Sequence, residues 1–247
     1  LDPWTEAIAP GQQLSLRLYW QADMPVSGTQ VYTVSLDGTN ASVPVRLPSD
    51  PPIGQAFHTY TDLPLPPDVP AGAHDLVLAL GDGEPPVRLG QVTVTGRPRE
   101  FQVPSLQTPL DATFGTAVTL LGMDVTGDLQ AGPGQSITLP LVWRVVDTPG
   151  GDLVRFVHLV QSGGYPVAQQ DTVPCAGECP SSTWLLNEVL TDEAEVVLPT
   201  DLARGHYSLA VGWYDAATLQ RLPVRDSSGQ RQPNDLLVLP LNVVVDP

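Results

Sequence analysis

Two cysteines, Cys175 and Cys179, stand in the run Cys-Ala-Gly-Glu-Cys, and they are the only cysteines among 247 residues. With Gly177 between them they can close a small loop, which on a chain-entropy argument stabilises a fold by about 2 kcal/mol. A zinc site wants four ligands, and no histidine or second cysteine pair lies nearby in sequence. Redox chemistry of the thioredoxin kind wants two intervening residues and the start of a helix. A local disulfide is therefore expected ahead of free thiols or a metal, and such a bond favours an extracytoplasmic compartment.

The other chemistry-bearing residues do not assemble into a catalytic pattern. His58, His74, His158 and His206 show no metal-ligand spacing, and no His-Glu-x-x-His occurs. His158 shares a strand face with Phe156 and Val160 and reads as structural; His74 and His206 follow turn glycines. There is no Gly-x-Ser-x-Gly elbow, phosphate-cradling loop or dinucleotide fingerprint. Asp192, Glu193 and Glu195 could form a carboxylate pair, but a solvated strand edge explains them better. Asp226 and Asp235 bound a loop whose oxygens make it a weak calcium candidate, outside the EF-hand pattern. Trp184, close to the cysteine loop, and Tyr165, in a hairpin, could form a sugar-stacking platform, but packing of Trp184 over the end of the fold is the better reading. No catalytic residue, resident metal or cofactor is assigned.

The elements that must position these residues are strands. Pro10-Gly11-Gln12, followed by alternating Leu14, Leu16, Leu18 and Trp20, returns as Pro133-Gly134-Gln135 with Ile137, Leu139, Leu141 and Trp143. Six of eleven positions match at an offset of 123 residues. Such repetition points to two copies of one unit. A second anchor, Leu65-Pro66 with Asp68, Gly72, Leu76, Leu78 and Leu80, matches Leu198-Pro199 with Asp201, Gly205, Leu209, Val211 and Trp213 at an offset of 133. The second copy has therefore gained about ten residues between the anchors, and the cysteine loop lies there.

Period-two alternation predicts half-buried strands. Pro140, on the outer side of its strand, predicts an edge or a bulge. Leu153 to Val160 and Pro166 to Thr172 read as a hairpin across Ser162-Gly163-Gly164. Gln30 to Leu36 and Ser42 to Leu47 read as its counterpart. The second copy opens with an extra strand over Ala117 to Val125 and closes with Leu236 to Val245. Trp20, Trp143 and Trp213 are expected in the core, while Trp4 and Trp184 sit outside clear alternation. The expected fold is all-β: two tandem antiparallel sandwiches of immunoglobulin-like or jelly-roll type, over 1–98 and 99–247.

The net charge is −16, with no lysine in the chain. Residues 1–98 carry 4 arginines against 10 acids, and residues 99–247 carry 7 against 17. Nucleic acid and anionic membrane surfaces are disfavoured as partners by simple repulsion. No apolar run is long enough to span a bilayer, and no signal peptide is evident. The start at Leu1-Asp2-Pro3-Trp4 reads as a piece of a longer protein.

The second copy resembles a sandwich module of bacterial multi-pass membrane proteins of the mannosyltransferase-like glycosyltransferase class. The residues that carry the resemblance run from Pro133-Gly134-Gln135 to Trp143, then Phe156-Val157-His158-Leu159, Pro180-Ser181, Trp184 and Glu188-Val189. They continue through Leu198-Pro199, Gly205-His206-Tyr207, Val211 to Asp215, Thr218 and Arg221-Leu222-Pro223. Asn187 stands where the resemblance implies glycine, and the cysteine loop is a departure. The resemblance implies an extracytoplasmic, cell-surface position beside a membrane region, and no chemistry of its own. The function expected is a non-catalytic spacer or interaction module of a larger membrane-associated protein, with another surface protein or a polysaccharide as partner. A carbohydrate-binding module serving a glycosyltransferase or surface polymer is the alternative.

Overall fold

A computed structural model describes residues 7–79, 84–149, 151–161 and 164–246. Trp4, Leu80 and the turn residues Ser162 and Gly163 lie outside them. The fold is all-β, and the chain divides into two compact units, Leu1–Pro98 and Arg99–Pro247.

The first unit contains β1 (Ala7–Ile8), β2 (Gln13–Gln21), β3 (Val31–Leu36), β4 (Ser42–Arg46), β5 (Ala56–Pro64), β6 (Gly72–Ala79) and β7 (Val87–Val94). One sheet runs β1-β7-β6-β3-β4, and β2 with β5 forms the other. Leu18 and Leu63 from the small sheet meet Val34, Leu36, Leu76 and Val92 from the large one in a single core. Alternation explains the layering: on β2 the leucines and Trp20 turn inward, while Ser15, Arg17 and Tyr19 are exposed.

The second unit contains β8 (Thr108–Phe114), β9 (Val118–Met123), β10 (Leu129–Ala131), β11 (Ser136–Val145), β12 (Leu153–Val160), β13 (Pro166–Thr172), β14 (Val189–Val197), β15 (Gly205–Asp215), β16 (Val224–Arg225) and β17 (Leu237–Val245). Its sheets are β10-β17-β15-β12-β13 and β14-β11-β9-β8-β16. The counterpart of β2 paired with β5 is therefore β11 paired with β14, and the parallel β1–β7 contact recurs as β10–β17. The single extra strand expected at the start of this copy is a pair, β8 and β9, with short β16 added to β8.

The repeated anchors are one structural device. Pro10-Gly11 and Pro133-Gly134 are turns whose glycines take φ of +81° and +78°, a conformation that costs glycine nothing. Each turn is closed by its glutamine: Gln12 Oε1 accepts from Ala9 N–H (3.2 Å), and Gln135 Oε1 from Gly132 N–H (2.8 Å). Gly11 N–H then donates to the Leu65 carbonyl and Gly134 N–H to that of Pro199, so the first anchor clamps the second in both units. A further equivalence falls on the next strand. Tyr207 Oη donates to the Ala203 carbonyl (2.7 Å), and the His74 ring reaches the Pro70 carbonyl (2.8 Å), each four residues back.

Of the two outcomes expected for the Pro140 strand the bulge is the one found, between Val142 and Trp143; β11 is not an edge, because β14 and β9 flank it. Pro140 is tolerated because its carbonyl accepts from Asp124 N–H just past the end of β9, where no ladder donor is needed. Trp143 and Trp213 are fully buried, whereas Trp20 is only half-buried; it stacks on Tyr32 and donates to Thr59 Oγ1 (2.9 Å).

Candidate functional site

Cys175 and Cys179 are bonded, with Cα atoms 5.5 Å apart. The loop is tied to the interior: Cys175 N–H donates to Asp192 Oδ1 (2.9 Å), and Asp192 Oδ2 accepts from Arg155 Nε (2.7 Å). Arg155 Nη1 also donates to Gln170 Oε1 (3.1 Å). Both ion-pair partners are fully buried. Asp192 is thus no part of a solvated edge; of the three acids only Glu193 and Glu195 are exposed. The sequence held a signal for the pair. Arg155 is in phase with Leu153, Val157 and Leu159, and Asp192 with Leu190, Ala194 and Val196, so each charge occupies a core-facing position. A buried charge requires such a partner.

The sugar platform is contradicted by burial. Trp184 has no exposed surface; its indole N–H donates to the Cys179 carbonyl (3.0 Å), and its ring meets Trp213 edge-on at 5.6 Å. Tyr165 is 75% exposed, but Trp184 offers no face for a sugar to share. The calcium candidates are also corrected. Asp226 Oδ1 accepts from Ser228 N–H, Ser228 Oγ and Gln230 N–H, its Oδ2 accepts from Gln232, and Asp235 is paired with Arg231. These carboxylates close their own loop. Among the described residues no group of three His, Cys, Asp or Glu side chains is placed to hold a metal.

Residues that carry the family resemblance gather on the outer face of β12 and β15. Asp215 accepts from Ala217 N–H, Thr218 N–H and Thr218 Oγ1, which turns the chain back so that Arg221 bridges Tyr214. The Arg221 guanidinium then lies 4.6 Å over the Phe156 ring and donates to the Asn234 carbonyl (3.0 Å). Phe156 can lie flat because its partner on β15 is Gly212; a Cβ there would sit 2.1 Å from Phe156 Cζ. His158 stands 4.6 Å from Phe156, ring to ring. Burial pushes the His158 pKa down, Arg221 adds to this and Asp171 opposes it. Phe156, His158, Asp171, Tyr214 and Arg221, with Gln169 and Leu219, line a shallow depression of about 300 Å3. It is a clasp that fastens the loop after β15 to the sheet.

The first unit presents a different surface, which sequence reasoning passed over. On the outer face of the β2–β5 pair, Arg17 lies opposite Tyr60 and Tyr19 opposite His58. Arg17 donates to the hydroxyls of Tyr19 and Tyr60, and its guanidinium lies 4.8 Å over the Tyr60 ring. His58 meets Tyr60 edge-on at 5.1 Å. Both tyrosines remain 65% exposed. The signal was available as outward Arg17 and Tyr19 on one strand and outward His58 and Tyr60 on another; the missing knowledge was that the strands pair in that register.

No family model matches the chain, and no curated protein matches it. Among solved structures, one that matches is a chain of the crystal structure of a complex between a CaDoc0917 variant and CaCohA2 at pH 5.5. It is 16% identical with a TM-score of 0.23, over 49% of this chain and 96% of that chain. A likeness of that size assigns neither ligand nor activity.

Proposed function

We propose that this chain is a non-catalytic spacer and interaction module of a larger membrane-associated protein, displayed outside the cytoplasm, that binds another protein through the outer face of β2 and β5. The observation that carries the reading is the pair of exposed tyrosines, Tyr19 and Tyr60, held in place by Arg17. Tyrosine and arginine are enriched among the few residues that carry most of the binding energy at protein interfaces. Arginine stacking fixes these rings before a partner arrives, which lowers the ordering cost of association. The extracytoplasmic position is supported by the Cys175–Cys179 bond and by the resemblance of the second unit to modules beside bacterial membrane glycosyltransferases.

The test is site-specific photo-crosslinking from His58 in the producing cell, followed by binding measurements with the captured protein in purified form. Tyr60→Ala is expected to weaken that complex by about 2 kcal/mol. Binding of a polysaccharide that is lost in the same variant would transfer the face to carbohydrate recognition. Adducts forming only from other faces would remove the proposal.

A further inference from the structure

We infer that the free edge of β2 is a strand-addition site, which takes an extended segment of a partner protein carrying apolar side chains at alternate positions. The inference deepens the interaction reading above and rests on it.

The two units carry the same strand pair, but only one has its outer edge filled. In the second unit β11 is covered on the side away from β14 by β9, over Leu141 to Val145. In the first unit β2 pairs with β5 alone among the described residues. The backbone polarity is fixed by observed bonds. Leu65 N–H donates to the Gln12 carbonyl, as Leu198 N–H does to that of Gln135. In an antiparallel ladder alternate residues bond to the same neighbour. The even positions of β2 therefore face β5, and Arg17, Tyr19 and Gln21 turn their N–H and C=O groups to the open side. Their counterparts at the 123-residue offset are Pro140, Val142 and Arg144. Pro140 already receives Asp124 N–H on that side, and Val142 and Arg144 pair with Gly122 and Thr119 of β9.

Burial gives a second, independent sign. Leu14, Leu16 and Trp20 of β2 are half-buried, while Ile137, Leu139 and Trp143 of β11 are buried. The opposite sheet repeats the difference. Val87 is 45% exposed, and its counterpart by strand register, Leu237, is 9% exposed. In the second unit Val118, Leu120 and Met123 of β9 fill the core on this flank. An occupant of the β2 edge must supply such residues at every second position, since only those point inward.

A second copy of this chain fits poorly. Two β2 strands laid antiparallel, in the register that covers Leu14 to Trp20, set Arg17 directly against Arg17 on one face. Like charges directly opposite one another destabilise a strand pair.

The probe is a synthetic peptide of Ala117 to Val125, the sequence that fills the equivalent edge, added to the whole 247-residue chain. In the free chain the Arg17, Tyr19 and Gln21 amides should exchange fast and those of Leu18 and Trp20 slowly. Saturating peptide should slow the first set by about tenfold or more. A peptide with Val118→Ser, Leu120→Ser and Met123→Ser should have no effect. Tyr19→Pro removes an N–H that β5 does not use, and should weaken peptide binding by about tenfold.

Protection of those amides in the dilute free chain would overturn the inference, as would exchange unchanged by the peptide. Protection that grows with protein concentration, together with a doubled mass, would assign the edge to a second copy. If a partner still crosslinks from His58 while the peptide fails, strand addition falls and face recognition stands; the reverse outcome removes only the face.

Discussion

The two units share a frame and differ in how completely it is closed. Both use a Pro-Gly turn, a glutamine that seals it and a leucine strand running to a tryptophan. In the second unit that strand is central and its tryptophan, Trp143, is buried against Phe114 and Trp213. In the first, the strand has a neighbour on one side only among the described residues, and Trp20 is half-buried. The second unit also holds a buried ion pair between β12 and β14, and a disulfide in the segment it gained. Similar local sequence thus produces an edge or a core strand according to what is laid beside it. The more open unit is the better place for recognition, because an edge strand presents N–H and C=O groups on which another strand can pair.

That contrast can be broken at its strongest point with Trp184→Ala. Loss of a fully buried indole that packs on Trp213 and holds the Cys179 carbonyl should destabilise the second unit by about 5 kcal/mol. Denaturant titration measures it, and a loss under about 1 kcal/mol would show that Trp184 is not part of the core. Asp192→Ala should follow closely, at about 3–5 kcal/mol, because Arg155 would be left charged and buried. Replacing both partners with leucine should recover most of that loss. If the double variant is as unstable as the single one, the pair contributes more than mutual neutralisation.

A smaller effect, about 2 kcal/mol, is expected when Cys175→Ser and Cys179→Ser open the inserted loop. Hydrogen exchange should rise around Cys175 and Trp184 while β2 and β5 are unchanged. Mass spectrometry of protein from an oxidising compartment should find the bond intact, and two free thiols there would count against an extracytoplasmic site. The smallest expected effect is a pH slope. His158 binds its proton less readily in the folded state than in the unfolded chain. Its contribution is therefore fully present above the ordinary imidazole value of about 6.5 and declines as pH falls below it. Melting temperatures of His158→Gln between pH 7 and 5 should show a flatter decline than the parent protein, and an unchanged slope would sink this assignment.

Much of the frame was legible before any coordinates. The β12–β13 hairpin falls on the predicted residues because Pro and Gly bound two runs of alternation. The β8 strand was passed over although Leu110, Ala112 and Phe114 alternate with Asp111 and Thr113, because so short a run holding Pro109 acquires its place only by pairing with β9. Packing of Trp184 over the end of the fold was the better reading and holds, but its full burial was not legible, because it follows a short 3-10 turn, where no periodicity reports which way a side chain points. The clasp of Phe156, Gly212 and Arg221 was visible only as a list of matching residues. Its geometry needs a loop to fold back over a strand, and a local pattern carries no such information.

The sequence by itself determined the strand-rich fold, the repeat and the turn chemistry, since alternation and Pro-Gly turns act over a few residues. Only the tertiary structure decided which strands acquire neighbours. Burial of Trp143 but not Trp20, the Arg155–Asp192 pair and the open edge of β2 all depend on contacts between segments far apart in the chain. Those contacts are settled by packing area and hydrogen-bond satisfaction across the whole unit, which no short stretch of residues encodes.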